Sequence, residues 1–251
     1  MDAYVKSLTA NNITTIEFFH PQSNSMPGAL LQQLADEIKA AGANSSSAVV
    51  IVKSGGEKAF CAGASFDELI AIKNEEEGLA FFSGFAKVIN AMRTCPKLVI
   101  ARIQGKCVGG GVGIAAAADY AIAVTNAEIK LSELAVGIGP FVVGPVIERK
   151  IGLSAFSQLA IDASSWRNAD WAKTYGLFTE LYPDIASVDK AVSKLALFLS
   201  NSNPSAMQEM KQIFWQGTDH WDRLLTERAA ISGRLVLSDF TKQAIQKFKS
   251  K

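Results

Sequence analysis

Histidine and cysteine are scarce in this 251-residue chain, and each shortage removes a class of chemistry. Two histidines, His20 and His220, are too few for sites built from several imidazoles. Neither has a serine or cysteine partner at a readable spacing, so no hydrolytic triad is expected. The three cysteines, Cys61, Cys95 and Cys107, are odd in number and lack metal-ligand spacing. Reduced, buried thiols in a cytoplasmic protein are the reading they invite, and no metal is expected. An excess of one charge is missing too. Twenty-five Lys and Arg against 24 Asp and Glu leave a net charge of +1. That balance gives no reason to expect nucleic acid or a membrane surface as partner. No apolar run approaches the length of a membrane span. The first ten residues, MDAYVKSLTA, lack the apolar core of a signal peptide, so a cytoplasmic location is expected.

What is present is an alternation of apolar runs and helical periods. Residues 5–8 and 13–19 have the composition of strands, joined at Asn11-Asn12, a pair suited to a hairpin turn. A helix is predicted from Pro27, with Leu30, Leu31, Leu34 and Ile38 on one face and a stop near Gly42. Residues 48–52 and 98–103 are continuous apolar runs, as in strands buried on both faces. Helical stretches are expected at 66–72 and 78–92, then an Ala-rich helix opened by residues 105–113 and a strand at 120–124. This order argues for an α/β architecture with mostly parallel pairing. Beyond Gly144 the strand signal fades. Segments 153–162, 168–175, 187–200, 204–215 and 220–249 all have helical patterns, with Leu181-Tyr182-Pro183 between two of them. This helical tail is expected to pack on the α/β part or on a neighbouring subunit.

Two glycine-rich turns each follow an apolar strand and lead into a helix: KAFCAGASF at 58–66 and QGKCVGGGVG at 104–113. Small residues at such a junction let a ligand approach the backbone. The free amides of the helix start then point at it, aided by the positive end of the helix dipole. One amide from each turn can converge on one oxygen and form an oxyanion hole, where losing a donor costs on the order of 3 kcal/mol. Close packing of helix on strand accounts equally well for either turn alone. Nucleotide readings fail on spacing. The glycines at 109, 110, 111 and 113 do not make G-x-G-x-x-G, and Gly105-Lys106 is followed by Cys107 where a P-loop needs Ser or Thr.

Three blocks in order, AFCAGASFDEL, QGKCVGGGVGIAAAADYAIA and KLSELAVGIGP, resemble the enoyl-CoA hydratase/isomerase (crotonase) family. The likeness is best between residues 13 and 180. It implies a spiral of strand-strand-helix units followed by a C-terminal helical region, divided here as 1–185 and 186–251. It implies assembly into homotrimers that often pair into hexamers. It also implies an acyl-coenzyme A substrate with no separate cofactor, and oxyanion donors at the amides of Ala64 and Gly110. Coenzyme A would lie along the first turn, giving Ala62, Gly63, Ser65, Phe66, Asp67 and Gly109 as candidate binding residues, with Phe141 beside the acyl chain.

The resemblance is broken at one chemically important place. Relatives that hydrate enoyl thioesters are similar in having two glutamates, and the first falls here at Gly113. The second falls at Glu133, which is present among Leu131, Leu134, Val136 and Ile138. Burial there would raise its pKa and suit it to proton transfer near neutrality. Hydration must activate water and protonate a carbon, which two carboxylates share. One carboxylate suffices to move a proton between carbons along an enolate, so double-bond isomerisation of a short or branched enoyl-CoA is expected. A hydratase with a substitute acid, for which Asp67 and Glu68 are the candidates, and a silent acyl-CoA-binding or assembly subunit are the rivals. Asp67 and Glu68 are themselves expected to be surface residues of a helix's first turn. Ser65 stands where relatives commonly carry aspartate, and its amide is expected still to face the coenzyme. Phe141 and Val142 either narrow the acyl pocket or pack the core. Trp166, Trp171, Trp215 and Trp221 are expected as core or interface anchors. Lys242, Lys247, Lys249 and Lys251 form a solvated face or reach the coenzyme phosphates.

Overall fold

The computed structural model describes residues 2–249. Strands β1 (Tyr4–Ala10) and β2 (Ile13–Phe19) form an antiparallel hairpin. Asn11 and Asn12 take φ of 53° and 59°, the left-handed pair that a two-residue turn requires and that asparagine tolerates best after glycine. Helix α1 (Gly28–Ala43) begins after Pro27 and buries Leu30, Leu31, Leu34 and Ile38, as its period predicts. Strand β3 (Val49–Ser54) lies parallel to β2. Short β4 (Ala59–Cys61) follows, then α2 (Phe66–Ala71) and α3 (Glu75–Thr94). Asn74 caps α3 by accepting from the Glu77 amide, with three glutamates in the positive first turn.

Strand β5 (Leu98–Ile103) is buried along its whole length, and β6 (Lys106–Val108) leads into α4 (Gly110–Ala117), also wholly buried. Strands β7 (Tyr120–Val124) and β8 (Glu128–Lys130) precede a 3-10 turn at Glu133–Val136 and the helix α5 (Gly144–Ile161), kinked at Gly152. Next come β9 (Arg167–Asn168), α6 (Ala169–Thr174), β10 (Glu180–Tyr182) and α7 (Ile185–Ser200). The last three helices are α8 (Pro204–Phe214), α9 (Trp221–Leu235) and α10 (Asp239–Lys249).

Six strands form one sheet in the order β1-β2-β3-β5-β7-β10, parallel except for β1. Four short strands form a second, β4-β6-β8-β9. Phe18 of the first sheet and Phe60 of the second meet edge to face at 5.5 Å between ring centres, both fully buried. From β3 onward successive strands alternate between the two sheets, as β3/β4, β5/β6 and β7/β8, and both glycine turns emerge along the second sheet. This is the α/β architecture expected, with a C-terminal helical region.

The tail differs from expectation in two respects. Strand pairing continues past Gly144, because Glu180–Tyr182 joins the open edge of β7 and Arg167–Asn168 joins β8. The segment 220–249 is two helices, separated at 236–238. Helix α7 lays Val188, Val192 and Ala196 on the large sheet, with Asp189 paired to Arg102 at 2.7 and 3.1 Å. Helix α9 crosses α3 so closely that a β-carbon on Gly78 would lie 2.7 Å from the α-carbon of Gly233. Lys211 of α8 and Trp215, which caps it, reach the buried side chain of Asp119 at 2.6 and 3.0 Å. Cys61, Cys95 and Cys107 are free and buried, and burial pushes the Cys61 thiol up to about 12. No helix among the described residues is long and apolar enough to cross a membrane. Lys242 and Lys247 are exposed, while Lys251 and the side chain of Lys249 lie outside the described residues.

Candidate active site

The first glycine turn is held from one side by the loop before α1. Met26 donates its amide to the Gly63 carbonyl at 2.8 Å, and its own carbonyl accepts from Ser65 at 3.2 Å. Ala62 donates to Ser23. The amide of Ala64, between these bonds, has no acceptor among the described residues. Gly63 has φ of 91°, a backbone state only glycine adopts freely. A β-carbon there would lie 3.1 Å from the Val108 carbonyl and 3.9 Å from the Gly110 nitrogen, so the two turns touch.

The second turn begins where Gly109 donates to the Lys130 carbonyl at 2.9 Å with φ of 50°. Gly110 then starts α4, and its amide has no intrahelical acceptor because it belongs to the first turn. The Phe85 ring presses on its α-carbon, leaving no room for a side chain. Two backbone donors from separate turns therefore border one space.

Glu133 enters that space from the 3-10 turn after β8. Its Oε1 would be 2.9 Å from a β-carbon on Gly109. As a residue Glu133 is half-buried, but Oε2 is sealed from solvent with no hydrogen-bond partner among the described residues. Burial pushes its pKa from 4.5 up to about 7, against a smaller lowering by its own backbone amide. A cavity of about 600 Å³ joins these groups. Its walls include Ala62, Gly63, Ala64, Phe66, Gly109, Gly110, Glu133 and Phe141 from the residues anticipated above. Glu133 is the one acidic side chain among the described lining residues.

Other candidates are elsewhere. Ser65 is buried with its hydroxyl accepting from the Glu68 amide and its own amide given to Met26, so that amide does not face a coenzyme. Asp67 is exposed and accepts from Gln22, outside the lining. Glu68 is not a surface residue as expected. It is half-buried, and its carboxylate accepts from the Gly28 amide at 2.8 Å at the start of α1. Neither acid stands in for the glutamate missing at Gly113. A β-carbon on Gly113 would lie 2.6 Å from Val143 Cγ1 and 3.7 Å from Ile89, so that place is filled by hydrocarbon.

Several features escaped the sequence. Phe81, Phe82 and Phe85 of α3 wall the cavity, and Ser232 reaches it from α9. Three phenylalanines within one helical turn and a half were the available signal. Trp166 is no core anchor. It borders this cavity and a second one shared with Ser23, Ala62 and Val108, with Lys106 Nζ 4.4 Å from its ring centre. His20 does have a serine partner, since Ser25 Oγ lies 3.1 Å from its Nδ1. The Gln22 amide donates to the same nitrogen, which marks the pair as part of the loop that holds Met26.

Two amides beside one another and a buried carboxylate suit the stabilisation of an oxyanion and the movement of a proton next to it. The enoyl-CoA hydratase/isomerase family model matches residues 9–251. The chain belongs to that family. Among curated family members, it is 28% identical to the 2,3-dehydroadipyl-CoA hydratase of Escherichia coli K12, over 78% of this chain and 75% of that protein. It is 30% identical to the mitochondrial Delta(3,5)-Delta(2,4)-dienoyl-CoA isomerase of Pongo abelii, over 68% and 55%. Family relatives thus include both a hydratase and an isomerase. The crystal structure of an enoyl-CoA hydratase from Bacillus halodurans superposes with a TM-score of 0.90 at 19% identity, covering 97% and 99% of the two chains.

Proposed function

We propose that this family member shifts the double bond of an enoyl-CoA, with Glu133 carrying the proton. The thioester oxygen sits between the amides of Ala64 and Gly110. The Glu133 carboxylate removes a proton from the α-carbon of a 3-enoyl thioester, and the electron pair passes toward that oxygen as a dienolate. The same carboxyl then returns the proton to the γ-carbon, leaving a 2-enoyl thioester. No atom is gained or lost. A pKa of about 7 keeps both the ionised and the protonated carboxyl populated at neutral pH, as a group that takes a proton and returns it needs.

The observation that carries this reading is the filling of position 113 by Val143 opposite a lone lining carboxylate. Water addition divides its labour between two acids, and only one is present among the described residues of the cavity wall. The coenzyme would leave past Ala62 and Trp166 toward the second cavity, where Lys58 and Lys106 stand in a chain read as a cytoplasmic enzyme.

The test follows deuterium incorporation at the α- and γ-carbons of 3-enoyl-CoA thioesters in heavy water, for the parent and Glu133→Gln. Bond migration with label, lost in the variant, is the expected result. A 3-hydroxyacyl product would make the protein a hydratase. Coenzyme A binding without exchange would make it a silent acyl-CoA-binding subunit.

A further inference from the structure

The two ends of the main cavity differ in chemistry. One end shares Ser23, Ala62, Val108 and Trp166 with the second cavity, whose further lining of Glu57, Lys58, Gln104, Lys106 and Asn126 makes that end open onto polar surface. The other is closed by Leu69, Phe81, Phe82, Val136, Ile138 and Val142. The rings of Phe81 and Phe82 meet edge to face at 5.0 Å, making a continuous aromatic wall. Phe141 folds back over Gly139, where its ring would lie 2.6 Å from a β-carbon, and closes the floor.

Charge along the lining is equally lopsided. Lys130 is the one cationic side chain among the described lining residues, and it faces the polar end. Its ammonium donates to the Ser164 carbonyl at 2.8 Å and lies 5.5 Å from the Trp166 ring centre. The hydroxyl of Ser232, which reaches the cavity from α9, donates to the Arg228 carbonyl of its own helix. Glu133 stands between the ends and adds negative charge whenever it ionises.

We propose that the acyl end selects an uncharged hydrocarbon chain and rejects acyl groups that carry a second, distal carboxylate. This rests on the thioester lying along the glycine turns as above, and it names the substrate class of that site. A carboxylate entering the aromatic end would lose its water, find no cation, and share the cavity with Glu133. Desolvating an ion without a partner is among the most unfavourable events in binding. A hydrocarbon tail of equal length meets only surfaces that favour it.

The test uses thioesters that cannot react, so its outcome does not depend on which reaction the protein performs. Titration calorimetry compares hexanoyl-CoA, adipyl-CoA and free coenzyme A on the parent protein and on Phe82→Arg. Hexanoyl-CoA is expected to bind at least about 100-fold more tightly than adipyl-CoA, with adipyl-CoA no tighter than free coenzyme A. Phe82→Arg should tighten adipyl-CoA at least about tenfold and weaken hexanoyl-CoA. Equal affinities on the parent would overturn the proposal while leaving proton transfer by Glu133 untouched. Discrimination between the thioesters without isotope exchange would overturn that proton transfer and leave this proposal standing. A circular dichroism spectrum of Phe82→Arg unlike the parent's moves the cation to Val136→Lys, judged by the same ratio.

Discussion

The carboxylate of Glu133 rests against the α-carbon of Gly109, so close that a β-carbon there would come within 2.9 Å of Oε1 and 3.4 Å of Cδ. Gly109 also has φ of 50° and opens the helix whose first amide borders the same cavity. One glycine therefore sets the place of both the proton carrier and a backbone donor.

Gly109→Ala should displace the carboxylate and strain the turn together. The expected outcome is a fall of at least about 30-fold in proton exchange, with about 1–3 kcal/mol lost from folding. Exchange in heavy water and denaturant unfolding measure the two effects. Exchange at the parental rate would show that the carboxylate is free to act from another position.

Exchange should rise with pH and reach half its plateau near pH 7, because the base must be ionised to accept a proton. Stability runs the other way. The folded-state pKa of about 7 lies above the unfolded value of 4.5, so the native protein holds a proton that the unfolded chain has already released. Between those values rising pH destabilises the parent relative to Glu133→Gln, by at most about 3 kcal/mol. Unfolding of both proteins from pH 4 to 8 isolates the difference, and parallel curves would contradict it.

Restoring a second carboxylate needs space as well as chemistry. Gly113→Glu alone should be destabilising by about 1–3 kcal/mol, since its β-carbon meets Val143. Adding Val143→Ala should recover part of that loss and raise the ratio of 3-hydroxyacyl product to shifted double bond. An unchanged ratio in the folded double variant would mean that something other than the missing acid suppresses water addition.

Asp119 accepts from Lys211, Trp215 and the Val99 amide with both charged side chains buried, joining α8 to the sheet. Lys211→Met leaves that carboxylate without its cation and should cost about 3–5 kcal/mol. Asp119→Asn combined with Lys211→Met should cost less than the two losses added. A denaturant double-mutant cycle measures the coupling, with exchange by the folded variants unchanged.

Local chemistry made much of the fold legible. Asn11-Asn12 between two strand-like runs specifies a hairpin by itself, and the spacing of Leu30, Leu34 and Ile38 specifies the buried face of α1. The strands of the large sheet interior are long enough for hydrophobic runs to reveal them. Strands of two or three residues such as β9 and β10 carry no period, and they exist because β8 and β7 offer them open edges. Sequence position alone makes Glu68 a solvated first-turn residue, because its partner, the Gly28 amide, is distant along the chain. Ser25 and His20 pair through the shape of their loop, which no fixed spacing encodes.

At the site, residue identity alone determined that Glu133 is present, that position 113 has no carboxylate, and that two glycine-rich turns follow strands. Those are facts of composition and order, and they bound the chemistry before any coordinate. Only the tertiary structure decided that the turns touch and that one carboxylate oxygen of Glu133 is sealed beside them. It also decided that Val143 occupies the vacant corner and that the rings of α3 make the far wall uncharged. These are distances between segments remote in sequence, set by how two sheets and their helices pack. No local propensity contains them.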